Sequence, residues 1–265
     1  MPNKVMALAD AVGTLTDGDH IAFGGGGLVR KPLAAVTEVA CSHLSDLGLI
    51  AFLGGPDVDI LVGLDKVRSV HFGYVGLDDL GLAPNFRRAR EQDGLEAVEA
   101  TEFMVLAGLD AAIKGVPFLP TRSGLGTDLL SLPTSPFKVF PCPLTGTDLV
   151  AVPALRPDVA FLHVNEADPT GNAFIHGDAF ADHLLARAAR KVFLTAERIV
   201  ERPASKGTFI SRLWVTGVCE VPGGTGFTSN FPDRPLDRAA AAEYAANAGD
   251  QDWLRNFVKD GRSTP

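Results

Sequence analysis

Residues Leu47–Leu53, LGLIAFL, form an unbroken run of apolar residues and glycine that stops at Gly54, Gly55 and Pro56. A strand with one wetted face alternates apolar and polar side chains. An unbroken apolar strand must therefore be covered on both faces, as strands are in parallel sheets sandwiched between helices. Val67–Val75 reads as another such strand, after a short Asp57–Leu64 segment. The two point to an α/β fold with an open, mostly parallel sheet flanked by helices.

The remaining pattern agrees. From Asn3, a possible cap, Val5, Leu8, Ala9, Val12 and Leu15 follow helical spacing until Asp17 and Gly18. His20–Phe23 reads as a strand. Gly24, Gly25, Gly26 and Gly27 come next, ahead of a helical pattern at Leu33, Val36, Val39, Ala40 and Leu44. That order lets backbone N–H groups and a helix start approach an anion, although a flexible turn is the simpler account. Arg30 and Lys31 are expected at the surface, or else beside such an anion. Neither a GxGxxG spacing nor a GK[ST] ending is present, so no dinucleotide or nucleoside-triphosphate fingerprint applies.

Arg87, Arg88 and Arg90 are expected on a solvated helix face within Asn85–Glu91, paired with Glu91 and Asp93; a phosphate or subunit contact is the alternative. Leu149–Val152 and Val159–Val164 read as strands. The second runs into Asp168, Pro169 and Gly171, which form an ordinary turn or a site at a strand's C-terminal end. Ala179–Ala189 reads as a helix, and Lys191–Thr195 and Trp214–Val221 as strands. A glycine- and proline-rich loop and two helices, near Leu236–Ala248 and Asp250–Lys259, follow.

At 265 residues and 46% hydrophobic content the chain can bury a continuous core, and no interdomain linker is visible. The formal charge of −8 provides no field for nucleic acid or anionic lipid. Cys41, Cys142 and Cys219 have no metal-ligand spacing and are expected to be reduced, mostly buried thiols. His20, His43 and His71 are expected to be hydrogen-bonded structural residues, and His163, His176 and His183 lie at spacings that no familiar local metal motif uses. With no signal-peptide pattern and no apolar run near the roughly 18 to 20 residues of a membrane span, a soluble cytoplasmic protein is expected.

Chemistry is expected in Glu99–Thr127, EATEFMVLAGLDAAIKGVPFLPTRSGLGT. Thr101 can cap a helix buried through Phe103, Leu106, Leu109 and Ile113, which puts Glu102 in its first turn. An acid is ordinary there, since the helix dipole favours it by a few tenths to about one kcal/mol. Burial among the following apolar residues and repulsion from Glu99 would raise its pKa toward that of a useful base or nucleophile. Arg122 and Ser123 could fold back to the same side of the sheet. Arg122 could then grip a carboxylate, and Ser123 or the Gly124 N–H could donate to an oxyanion; a salt bridge and a plain turn are the structural alternatives.

The succession GGGGLVRKP (24–32), GGPDVDILVG (54–63), DKVRSVHFGYVGL (65–77), TEFMVLAGLDAAIKGVPFLPTRSGLGTDL (101–129) and HVNEADPTGNA (163–173) resembles the α-type subunit of family I CoA-transferases. The nearest branches are the α subunits of glutaconate CoA-transferase and of the steroid ring-cleaving CoA-thioester hydrolase. The resemblance implies one α-type domain over residues 1–265, with a short helical C-terminal segment near 236–260. It implies a β-type partner subunit in an α2β2 assembly, no permanently bound cofactor, and a coenzyme A thioester as substrate. In the transferases a β-side glutamate attacks the acyl-CoA, and this chain would supply pocket and oxyanion groups: Gly25, Gly26, Gly27, Arg122, Ser123 and Gly124. In the ring-cleaving branch an α-side glutamate acts, and Glu102 aligns with it, although GGGG stands where that branch has a GWG-like loop. The function implied is CoA transfer between carboxylic acids of glutaconate or 3-oxoacid type. Ring opening of a steroid-derived CoA thioester by Glu102 is the alternative, and a non-catalytic CoA-ester-binding or scaffold subunit the reading from another class.

Overall fold

In the computed structural model, residues 2–92 and 94–261 are described. The strands are β1 (His20–Phe23), β2 (Leu47–Gly54), β3 (Val67–Val75), β4 (Glu96–Glu99), β5 (Phe118–Thr121), β6 (Lys138–Pro141), β7 (Asp148–Pro153), β8 (Val159–Ala167), β9 (Ala173–Ile175), β10 (Lys191–Ile199), β11 (Thr208–Ile210) and β12 (Gly217–Glu220). The helices are α1 (Leu8–Val12), α2 (Leu33–Cys41), α3 (Pro56–Gly63), α4 (Pro84–Glu91), α5 (Glu102–Lys114), α6 (Asp182–Ala188), α7 (Arg238–Asn247) and α8 (Gln251–Lys259).

The main sheet runs β4-β3-β2-β1-β8-β10-β12 through parallel pairings, and β9 and β11 add an antiparallel extension at the end of β8. Strand order grows outward in one direction from β1 and in the other from β8. The boundary between them is a switch point, where connections leave in opposite directions and open a crevice beyond the strand ends. β5, β7 and β6 form a separate antiparallel sheet.

Both faces of the main sheet are covered, as the apolar runs require. Ile21, Phe23, Leu49, Phe161 and Phe193 point into a core shared with α1–α4, α7 and α8. Their neighbours Ala22, Ile50, Ala160, Leu162 and Leu194 point into a second core under α5, α6 and the small sheet. On the first face Phe23, Phe161 and Phe193 stack across β1, β8 and β10 with centroids 5.9 and 5.6 Å apart, a geometry aromatic pairs favour.

The opening helix is shorter than its periodicity suggests. Val5 pairs with Val218 as a β-bridge, the Met6 N–H donates to the Val218 carbonyl, and α1 starts only at Leu8, so Asn3 caps no helix. Pairing along β12 satisfies the backbone there and overrides the local helical signal. The arginine-rich segment is a helix, as expected. Arg87 pairs with Glu91 and Arg90 with Glu99, while Arg88 donates to the Gly249 carbonyl and to Asn85; Asp93, its other expected partner, lies outside the described residues. Of the three free thiols only Cys219 is buried; burial pushes it up to about 11. No helix among the described residues is long and apolar enough to cross a membrane.

Candidate active site

At the C-terminal ends of β1, β2 and β3, beside the switch point, lies a cleft of about 320 Å3 lined by Gly26, Gly27, Leu53, Tyr74, Asp78, Glu102 and neighbouring apolar side chains. Its volume is at the lower end for small-molecule sites. A larger hollow of 520 Å3 lies beyond the end of β8, between Asp168 and Arg212. Asp168 there is committed to its own turn. Burial pushes its carboxyl up, but hydrogen bonds from Thr170 and Asn172 outweigh that and leave it below the usual carboxylate range. This agrees with the plain-turn reading of that segment.

Glu102 enters the cleft because of how α5 begins. The Thr101 hydroxyl accepts the Met104 N–H at 3.2 Å, which caps the helix and makes Glu102 its first residue. Gly73 lets that helix start lie against β3, since a Cβ there would stand 3.0 Å from the Glu102 Cα. Met104, Val105, Gly108, Leu109, Ala111 and Ala112 are on the buried face, and Phe103, expected on it, is 59% exposed. The burial expected of Glu102 is likewise absent: its backbone lies against Gly73, and the residue stands exposed at the cleft. Glu99, its expected repulsive neighbour, is turned to Arg90 at 3.0 Å.

The glycine loop forms a closely packed part of the cleft. Gly25 and Gly27 have φ of 73° and 53°, conformations that a side chain would strain. The N–H groups of Gly24, Gly25, Gly26 and Gly27 donate to the Phe161 carbonyl, Asp182 Oδ1, the Val29 carbonyl and the Leu53 carbonyl, and that of Leu28 donates to Asp78 Oδ2. The amides expected to meet an anion are thus engaged within the protein. The following helix starts only at Leu33, and not directly after Gly27.

Arg30 and Lys31, expected at the surface or beside an anion, are among the most buried side chains of the molecule. Arg30 Nη1 donates to Asp182 Oδ2 at 2.6 Å and to the His163 carbonyl, and Nη2 to the Asp178 carbonyl. Lys31 Nζ pairs with Asp57 Oδ2 at 3.0 Å. A buried cation has to be neutralised and hydrogen-bonded, and partners distant in sequence do this here.

A second buried network lies alongside. His163 Nε2 is 3.2 Å from Glu197 Oε1, and Nδ1 is 3.0 Å from the Thr195 hydroxyl. Burial pushes the His163 pKa down against the pull of Glu197, so the neutral ring donates from Nε2 to the carboxylate and accepts from Thr195. Burial pulls Glu197 up, but hydrogen bonds from His163, the Gly223 N–H and Asn230 prevail and hold it at about 2. His71 departs from the expected hydrogen-bonded histidine: among the described residues its Nε2 has no hydrogen-bond partner, it lies edge-on to Phe137, and burial lowers it to about 4.

The TRSGLGT turn does fold back toward Glu102. Ser123 Oγ lies 2.7 Å from the Thr101 hydroxyl that caps α5, and Gly124 packs against Met104. Arg122 is exposed and makes no ion pair among the described residues. The cleft lining therefore joins Glu102 with Gly26 and Gly27, while Gly25, Arg122, Ser123 and Gly124 stand outside it. Tyr74, Asp78 and Phe180 join the lining without any expectation from the sequence. FGYVGLDD, the end of β3 and the turn that follows it, is a readable signal for the first two. Phe180 comes from the segment just before α6, remote in the chain from the other lining residues, and has no such signal.

Residues 5–208 match the family model described as coenzyme A transferase. The chain is 38% identical to the cholesterol ring-cleaving hydrolase IpdA subunit of Mycobacterium tuberculosis, over 97% of this chain and 92% of that protein. It is 32% identical to one of the subunits of glutaconate CoA-transferase from Acidaminococcus fermentans, over 75% of this chain and 67% of that one. The crystal structure of the glutaconate coenzyme A-transferase from Acidaminococcus fermentans superposes with a TM-score of 0.87 at 28% identity, covering 97% of this chain and 88% of that one.

Proposed function

Because the chain belongs to the coenzyme A transferase family, we propose that it is the α-type subunit of a heteromeric enzyme that moves CoA between carboxylic acids, acting with a β-type partner. The observation carrying this reading is the family match over most of the chain, centred on a cleft at the switch point of the sheet. An α2β2 assembly in the cytoplasm, with no resident cofactor and an acyl-CoA thioester as substrate, completes the reading. The partner's carboxylate attacks the thioester, so that one difficult acyl exchange becomes two easier ones. Gly26 and Gly27 shape the floor, Ser123 and Gly124 pack on the start of α5, and the exposed Arg122, which stands outside the cleft lining and has no ion pair among the described residues, takes the carboxylate of the incoming acid.

The test is CoA exchange between an acyl-CoA and acetate or succinate by the assembled α/β pair. No exchange, with hydrolytic loss of a cyclic CoA thioester instead, would replace the transferase reading with a ring-opening one. One observation favours that second reading: Glu102 brings a carboxylate of this chain into the cleft, and the relative matched over 97% of the chain is named a ring-cleaving hydrolase. Glu102→Gln separates the two. Exchange that survives the substitution supports a partner-borne nucleophile, whereas abolished turnover assigns the reaction to Glu102.

A further inference from the structure

A carbonyl under attack needs a hydrogen-bond donor where negative charge develops, and such a donor must face the cleft with no other acceptor. This chain offers few. Leu53, Val29 and Phe180 have apolar side chains, and the carboxylates Asp78 and Glu102, when ionised, only accept. The Gly26 and Gly27 N–H groups donate to the Val29 and Leu53 carbonyls. Tyr74 is the side chain lining the cleft that can donate, and its hydroxyl has no hydrogen-bond partner among the described residues.

Its position is built into the fold. Tyr74 stands near the end of β3, in register with Leu53 of β2, one residue after the Gly73 that admits the start of α5 and Glu102. Gly73 faces α5 and Phe72 faces the first core, so Tyr74 stands on the side opposite Gly73 and joins Glu102 in the cleft at the strand's end. The phenol end occupies the space over Gly76, where a Cβ would collide with the hydroxyl oxygen. Gly73 and Gly76 thus make room on either side of Tyr74, one for the helix that carries Glu102 and one for the hydroxyl.

We propose that the Tyr74 hydroxyl donates a hydrogen bond to the carbonyl oxygen of the bound thioester, an inference that rests on the acyl-CoA reading above. A carboxylate oxygen attacks the carbonyl carbon. A C–O bond forms, and the π pair moves onto the carbonyl oxygen, where the Tyr74 O–H stabilises it without giving up its proton. The pair then returns, the C–S bond breaks, and CoA leaves as thiolate. The same donor serves whether the attacking carboxylate belongs to the partner or is Glu102.

The test uses the assembled α/β complex and Tyr74→Phe, which keeps the ring and deletes only the donor. Turnover of acyl-CoA is expected to fall about 100-fold or more, with KM for the thioester near wild type, the pattern of an interaction made in the transition state. Gly76→Ala, which displaces the phenol without deleting its hydroxyl, should lower kcat similarly. Added to Tyr74→Phe it should cost little more, since both changes remove one interaction. Wild-type kcat in Tyr74→Phe, or a raised KM at unchanged kcat, would overturn the proposal. A wild-type complex that turns over no acyl-CoA would overturn the acyl-CoA reading and this inference with it, whereas an active complex insensitive to Tyr74→Phe overturns only the inference.

Discussion

Two glycine-rich segments approach the candidate site, and they are held in opposite ways. In the TRSGLGT turn the Ser123 N–H donates to the Thr121 hydroxyl, the Leu125 N–H to the Arg122 carbonyl and the Thr127 N–H to the Gly124 carbonyl, all within three residues. In the Gly24–Gly27 loop the Gly26 N–H stays local, on the Val29 carbonyl, but the other partners are Phe161, Asp182 and Leu53, with Asp78 on the adjoining Leu28. The turn makes its own shape, and the loop takes its shape from the rest of the molecule. Damage far from the loop in sequence should therefore reach the cleft, and damage to the turn should stay local.

The largest expected effect is Asp182→Ala. It removes the acceptor of the Gly25 N–H and leaves Arg30 an uncompensated buried charge, a loss of about 3–5 kcal/mol in chemical denaturation. Arg30→Met added to it should recover much of that loss, since replacing a buried pair is far milder than breaking one. No recovery would mean that the loop, rather than the charge, is what Asp182 supports.

Acid should act on the same side of the molecule. Glu197 is held at about 2 against an ordinary 4.5, so its stabilising contribution is complete above about 4.5 and is lost as pH falls toward about 2. The neutral, buried His163 adds in the same direction, because its folded pKa lies below the ordinary 6.5 and the unfolded chain gains the proton first. Together they tie Gly223 and Asn230 to the sheet, and Arg30 bonds the His163 carbonyl. The loss attributable to Glu197 is on the order of 3 kcal/mol, and denaturation of Glu197→Gln across this range should show a flatter pH dependence.

Gly27→Ala comes next, at about 2 kcal/mol, from left-handed backbone strain and displacement of the Asp78 carboxylate from the Leu28 N–H. The turn should respond least. Ser123→Ala is expected to lose about 1 kcal/mol with the Thr101 contact, and Arg122→Ala less than about 0.5 kcal/mol of stability while raising KM for the acceptor acid. A large stability loss from either turn variant would break the contrast between the segments.

The parallel sheet and its covering helices are legible because apolar runs such as Leu47–Leu53 leave a strand no wet face. The Thr101 cap and the position of Glu102 on α5 are legible because capping reaches only three residues along the chain. The helical pattern of the opening segment misleads where Val5 finds a strand partner more than 200 residues away, and that of α5 misleads at Phe103, which is exposed although its spacing fits the buried face. Arg30 and Lys31 read as surface cations because nothing near them in sequence announces Asp182 or Asp57.

Sequence alone determined what depends on neighbours along the chain: the apolar strands, the capped helix bearing Glu102, the tight turn that follows it, and the ordered motifs by which the chain resembles its family. Tertiary structure alone decided that the glycine-loop amides are engaged within the protein, which cations are buried, and that Tyr74 and Asp78 meet Glu102 in one cleft. Hydrogen bonding and desolvation are settled by whichever groups come into contact, and in a sheet with a switch point those groups come from remote parts of the chain.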